Sequence, residues 1–328
     1  MMNRRVPALA GLAVAGIAAA LSTSAQPGLG PPPDWAYFVS PPAAAPAAAA
    51  AGDEPALRVP GSAIALTGTQ LRDLYTAPDW HPAAHPPMPE VVARGRKPEL
   101  FACGYCHMPN GQGRPENAAL AGLSAGYITQ QVADYKAGLR RSSEPAMRPP
   151  ALMLANAKHA TDEDVQAAAA YFASLPYQRW IRVVEAASVP QTRVLGALLV
   201  PVPGGTPEPI GQRIIEVPED PARTELRDPS SGFIAYVPPG SLQRGETLAR
   251  SGSGQVAACT SCHGPALRGA GEAPPLAGRS PSYLVRQLYD FRSGARAGRH
   301  AEQMLPVTRA LTLHDMVAVT AYAASLAP

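Results

Sequence analysis

A chain of 328 residues has room for two domains, and its formal net charge of +3 is too small to suggest nucleic-acid binding. With 38 prolines and only 6% aromatic residues, long stretches are expected to be extended or irregular rather than continuously helical. Residues 91–180 hold 10 Lys and Arg against 7 Asp and Glu, and residues 241–328 hold 9 against 5, so the remainder is acidic; the two basic lobes suit an acidic partner or are ordinary solvated surface.

At the N-terminus, Arg4 and Arg5 precede an apolar run from Val6 to Leu21, and Thr23-Ser24-Ala25 supplies small residues for cleavage. This pattern predicts a secretory signal peptide over residues 1–25 and, in a bacterium, a periplasmic mature protein. The run is short for a membrane span, which needs ~20 apolar residues; an uncleaved anchor is the alternative, and no other stretch is long and apolar enough to cross a bilayer. Residues 26–87 form a Pro/Ala-rich arm with a low-complexity Ala43–Ala51 tract, expected to be mobile as far as Leu57.

An internal duplication then organises the chain. Cys103-Gly104-Tyr105-Cys106-His107 recurs as Cys259-Thr260-Ser261-Cys262-His263, an offset of 156 that also carries Leu120-Ala121-Gly122 onto Leu276-Ala277-Gly278, Tyr127 onto Tyr283, Gln131 onto Gln287, and Arg140 onto Arg296. Five more residues follow Arg140 in the first copy, and an offset of 151 then carries Met153 onto Met304, Thr161 onto Thr312 and Asp164 onto Asp315. Two homologous domains are predicted, at 88–178 and 241–328. In each, Tyr127–Tyr135 or Tyr283–Phe291 has helical spacing, and Thr161 or Thr312 caps a last helix with acidic residues in its first turn. Ser241 is the expected cap of a helix before the second motif. Arg94-Gly95 parallels Arg244-Gly245 but lies closer to its cysteine, and Pro98 interrupts, so a stunted first helix is expected in the first domain. Between the copies, residues 179–240 carry β-prone runs at Ile181–Val184, Arg193–Val202, Arg213–Val217 and Phe233–Val237, separated by Pro-Gly turns.

All four cysteines fall in the two Cys-x-x-Cys pairs, which disulfides or thiol chemistry would account for, but neither explains the histidine that follows each pair. Cysteines three apart can each bond a haem vinyl group, with the next histidine beneath the iron. Zinc is the competing metal, yet each repeat clusters only three ligands and no fourth recurs. Two covalently bound haem c groups are therefore expected, on Cys103, Cys106 and His107 and on Cys259, Cys262 and His263. Met153 and Met304 are the only methionines that correspond between repeats, which makes them the candidates for the second axial position; Met147 competes with Met153, while Met108 points the wrong way and Met316 reads as core. The free nitrogen of each histidine needs an acceptor, for which the carbonyls of Pro274 or Pro275 and of Ala118 or Ala119 are placed. Tyr127, Tyr283, Tyr135 and Phe291 read as haem-packing or core residues.

Pro274–Gly278, Tyr283–Leu288, Phe291–Arg296 and Met304, following Cys-x-x-Cys-His, resemble a class I cytochrome c of the di-haem cytochrome c4 type. The resemblance implies a mainly α fold of two haem domains in tandem, here with a small β-rich segment between them. It also implies His107/Met153 and His263/Met304 as axial pairs, and a periplasmic carrier of single electrons rather than an enzyme. The redox partners would be a dehydrogenase or a terminal oxidase. The β-prone insert and the long arm depart from the family, which leaves direct haem-to-haem contact open. A di-haem peroxidase with one open iron is the alternative, with the first domain suspect and His81, His85 or His159 as distal candidates. A docking role for the arm and insert within a larger redox complex is compatible with the carrier.

Overall fold

The computed structural model describes residues 30–40 and 54–328, so the predicted signal segment and the Ala43–Ala51 tract lie outside the described residues. Pro31–Pro328 form one compact unit. Residues 30–40 correct the expectation of mobility for their part of the arm. Ala36, Tyr37 and Phe38 are buried, Tyr37 Oη donates to Asp290 Oδ1 at 2.7 Å, and Arg286 Nη1 donates to the Ala36 carbonyl at 2.9 Å. The arm's average composition concealed a short aromatic segment that gains by burial. From Leu57 onward the arm has a core of its own, in which Val59, Leu71 and Trp80 pack with Leu226 of the interdomain segment. It contains helix α1 (Gly68–Arg72), opened by a reciprocal Thr67–Gln70 capping box, and a 3-10 turn at Pro82–Ala84.

The first repeat comprises α2 (Glu90–Ala93), α3 (Cys103–His107), α4 (Ala125–Lys136), α5 (Arg148–His159) and α6 (Asp162–Ser174). As expected, α2 is stunted, at four residues. Thr161 opens α6 with a capping box to Asp164, and Ala168, Ala169 and Phe172 then bury one face against Ile128, Leu100, Val91 and Val92.

The interdomain segment is β-rich, as its runs suggested: β1 (Ile181–Glu185), β2 (Ser188–Val189), β3 (Thr192–Leu195), β4 (Leu198–Pro201), β5 (Glu208–Pro209), β6 (Ile215–Pro218) and β7 (Phe233–Val237), with α7 (Pro221–Glu225) before the last strand. Its sheet has the order β1-β7-β6, with β1 parallel to β7 in the register Ile181↔Phe233 and β6 antiparallel to β7. Strand β7 alternates, burying Phe233, Ala235 and Val237 on one face. Glu216 of β6 is wholly buried and accepts from Ser280 Oγ at 2.7 Å and Ser282 Oγ at 2.6 Å, which ties the sheet to the second repeat; burial raises its carboxyl pKa.

The second repeat comprises α8 (Ser241–Ser251), α9 (Thr260–His263), α10 (Pro281–Ser293), α11 (Ala301–Ala310) and α12 (Leu313–Ser325). Helix α8, at eleven residues, is complete where α2 is stunted. It crosses α12 at Gly245, where a Cβ would strike the Ala318 backbone. Ser241 is not its cap. The preceding Pro-Gly turn brings Gly240 into the cap position at φ 83°, and the Ser241 hydroxyl is buried without a hydrogen-bond partner. A second expectation also shifts: Arg244 Nε bonds Asp315 Oδ1 at 3.0 Å, but the matching bond to Asp164 in the first repeat comes from Arg96, at 2.8 Å, and not from Arg94. The shortened helix moves the arginine that faces the last helix by two positions.

Candidate functional site

Both Cys-x-x-Cys-His motifs lie on single helical turns, α3 and α9, so the two sulfurs and the imidazole of each project from one short rigid piece of backbone. Each histidine is oriented by a carbonyl eleven residues further on: His107 Nδ1 lies 2.8 Å from Ala118 O and His263 Nδ1 lies 2.8 Å from Pro274 O. A carbonyl can only accept, so Nδ1 carries the proton in both rings and Nε2 is the nitrogen able to bond a metal. Burial lowers the pKa of both histidines and so holds them neutral, the form a metal requires. All four cysteines are unpaired. Desolvation pushes the Cys103 thiol up to about 12 and raises those of Cys106 and Cys259, the opposite of what a reactive redox pair needs. Among the described residues, no cluster of three or more His, Cys, Asp or Glu side chains is placed to hold a metal ion by themselves.

The two motifs open onto one continuous cavity of about 1280 Å³. His107 and His263 line it, as do Met153 from α5 and Met304 from α11. The competing methionines fall elsewhere. Met147 is fully buried but is not among the lining residues, Met108 turns away beneath Arg227, and Met316 packs with Val256 and Leu311. The histidines invoked for an open peroxidase-like site are also absent from the lining: His81 pairs with Asp228, His85 with Asp79 and Tyr171, and His159 with Glu99.

Between the motifs lies a feature that sequence reading left as packing. Arg140 crosses to the second repeat, donating to Tyr283 Oη and Gln287 Oε1, both at 2.9 Å, and also holds Gln131 of its own repeat at 2.7 Å. Arg296 does the reverse, donating to Tyr127 Oη at 2.8 Å and Gln131 Oε1 at 2.7 Å while holding its own Gln287 at 3.1 Å. The backbones of the two arginines form an antiparallel bridge. The duplication therefore became a local two-fold, with each repeat supplying the same three side chains to the other. The signal was available in the sequence, where Tyr, Gln and Arg all obey the 156-residue offset; what was missing was that the copies face each other.

These residues fit haem. Each half of the cavity offers a thiol pair, an imidazole nitrogen and a thioether sulfur, set among apolar walls such as Ile128, Val165 and Phe172 in one half and Leu276, Leu284 and Val319 in the other. Of the arginines that line the cavity, Arg140 and Arg296 have neutral protein partners and form no carboxylate ion pair among the described residues, so they suit the acidic side groups of a macrocycle otherwise held by apolar contact.

The cytochrome c family model matches residues 92–176 and again 243–327. The thiosulfate dehydrogenase electron acceptor of Stutzerimonas stutzeri is 29% identical over 235 residues, covering 71% of this chain and 82% of that protein. Cytochrome c4 of Azotobacter vinelandii is 26% identical over 227 residues, covering 67% and 82%. Among solved structures, a thiosulfate dehydrogenase from Marichromatium purpuratum aligns with 70% of this chain and 37% of its own, at 26% identity and a TM-score of 0.46. Among the described residues, no helix is long and apolar enough to cross a membrane. The chain belongs to the cytochrome c family, with two such domains in tandem and hence two haem c groups, and it is an electron-transfer cytochrome of the di-haem c4 type rather than a peroxidase.

Proposed function

We propose that Cys103 and Cys106 bind one haem, and Cys259 and Cys262 the other, through thioether bonds. His107 with Met153, and His263 with Met304, are the axial pairs of haem domains spanning 88–178 and 241–328. The observation that carries this reading is that both histidines, each with Nδ1 tied to a carbonyl, share one cavity with the two methionines that correspond between the repeats. When bound, haem iron supplies one-electron chemistry. The protein's part is to hold that chemistry in a fixed environment. The Ala118 and Pro274 carbonyls orient the imidazoles, the thioether sulfurs favour the reduced state, and the apolar walls exclude water. The Arg140 and Arg296 guanidiniums neutralise acidic groups where the domains meet and hold the two halves in register. We assign the protein to the periplasm, exported by residues 1–25. Its electron donor would be a dehydrogenase, as the name of the Stutzerimonas relative suggests, and its acceptor a terminal oxidase.

The test is an optical titration of the dithionite-reduced protein with carbon monoxide. An unchanged c-type spectrum is expected, because both irons already have two protein ligands. Binding at half of the haem would overturn the assignment of Met153 or Met304.

A further inference from the structure

The two attachment segments have the same motif but very different surroundings. Residues 101–120 contain no exposed residue, whereas nine of the equivalent residues 257–276 are exposed, among them Ser261, Cys262, Ala266 and Arg268. The difference comes from the two parts of the chain that have no duplicate. Tyr105, the counterpart of Ser261, lies under the guanidinium of Arg227, 4.1 Å from the ring centroid; Arg227 also donates to the Tyr105 carbonyl, and Tyr105 Oη donates to Leu71 O at 3.1 Å. Asn110, the counterpart of Ala266, reaches Pro229 O at 3.5 Å. The arm contributes the Leu74 carbonyl, which accepts from Ala102 N at 3.0 Å, and it is fastened to the insert where Trp80 Nε1 donates to Leu226 O at 2.8 Å. Among the described residues, none of the arm or insert makes a corresponding hydrogen bond to the Cys259–Ala266 segment.

Resting on the site assignment above, we propose that the arm and the 226–229 turn of the insert close the first motif to redox partners. Partners then exchange electrons at the Cys262 edge alone, and haem 1 is filled and emptied through haem 2. The exposed part of that segment is small-residued, with Pro265 and Ala266 close in sequence to Arg268, the one Lys or Arg of residues 257–276, and suits close approach of a one-electron redox protein with a matching apolar and acidic rim.

The test uses the full holoprotein, fully reduced, oxidised in a stopped-flow instrument by excess hexacyanoferrate(III). Each ferrous haem loses one electron and one hexacyanoferrate(III) becomes hexacyanoferrate(II). The double variant Ala266→Glu, Arg268→Glu makes the haem-2 edge anionic and repels this anionic probe. The whole absorbance change, from both haems, should slow by about threefold or more at low ionic strength, and the difference should vanish near 1 M salt, where the Debye length is ~3 Å. If half the amplitude keeps the wild-type rate, haem 1 has its own port and the proposal fails; it also fails if neither half slows. A second readout does not involve electron transfer. Backbone amides of 103–110 should exchange with deuterium at least about tenfold more slowly than those of 259–266, and equal exchange would overturn the covering. Failure of the site assignment itself would appear separately, as haem that washes out of the denatured chain.

Discussion

The two halves of this molecule began as copies and now differ chiefly in what lies around them. In the second, an eleven-residue α8 packs at Gly245 onto α12 and the cysteine edge faces solvent. In the first, α2 is cut to four residues, and the arm and insert bond and pack around the Cys103–Asn110 segment. The lesson is that unduplicated chain packed around one copy alters its access while the histidine–carbonyl geometry stays the same in both.

That comparison can be broken at several points. The sharpest is ligand removal. Met153→Ala and Met304→Ala should each let carbon monoxide bind half of the reduced haem, by optical titration, and equal behaviour of the two variants would establish that the sites differ only in their coverings. Next is the covering itself. Trp80 is 1% exposed, and Trp80→Ala should cost about 3–5 kcal/mol in urea unfolding and loosen the first motif before the second. If the second motif loosens equally, the arm supports the whole molecule and not one half. The symmetric centre should respond less: Arg140→Gln and Arg296→Gln should each cost about 1.5–3 kcal/mol, with the double variant costing less than the sum because they share Gln131 and Gln287. Smaller still are the caps, where Thr161→Ala and Thr312→Ala should each cost about 1 kcal/mol.

The pH dependence sharpens the contrast at its weakest point. Its hydrogen bond from Arg96 holds the Asp164 carboxyl down at about 2, below an unfolded value of ~3.9. As pH falls, the unfolded chain binds this proton first. The stabilisation is therefore complete above about pH 4 and is lost as pH falls towards about 2. Arg96→Gln should flatten that acid limb in unfolding measured against pH, and Arg244→Gln should do so more weakly through Asp315, whose pKa is lowered first by its bonds from Thr312 and then by Arg244.

The repeat, the motifs and the capped last helices were all legible in the sequence, because each depends on spacing along one short piece of chain. Even the carbonyls that orient the histidines could be named to within a residue, since the loop from Cys-x-x-Cys-His to Leu-Ala-Gly has the same length in both copies. Spacing favoured Met153 without excluding Met147; that Met153 on α5 lines the cavity while Met147 at its N-cap does not is a matter of tertiary placement. Nor could spacing show Tyr37 anchored on Asp290, a contact across more than two hundred residues in a segment whose composition suggests disorder. The mutual grip of Arg140 and Arg296, and the burial of one motif beside the exposure of the other, are likewise properties of three-dimensional assembly. A duplicated sequence determines two equivalent sites; only the packing of its unduplicated parts makes them inequivalent, because burial depends on what comes to lie nearby and not on the local sequence.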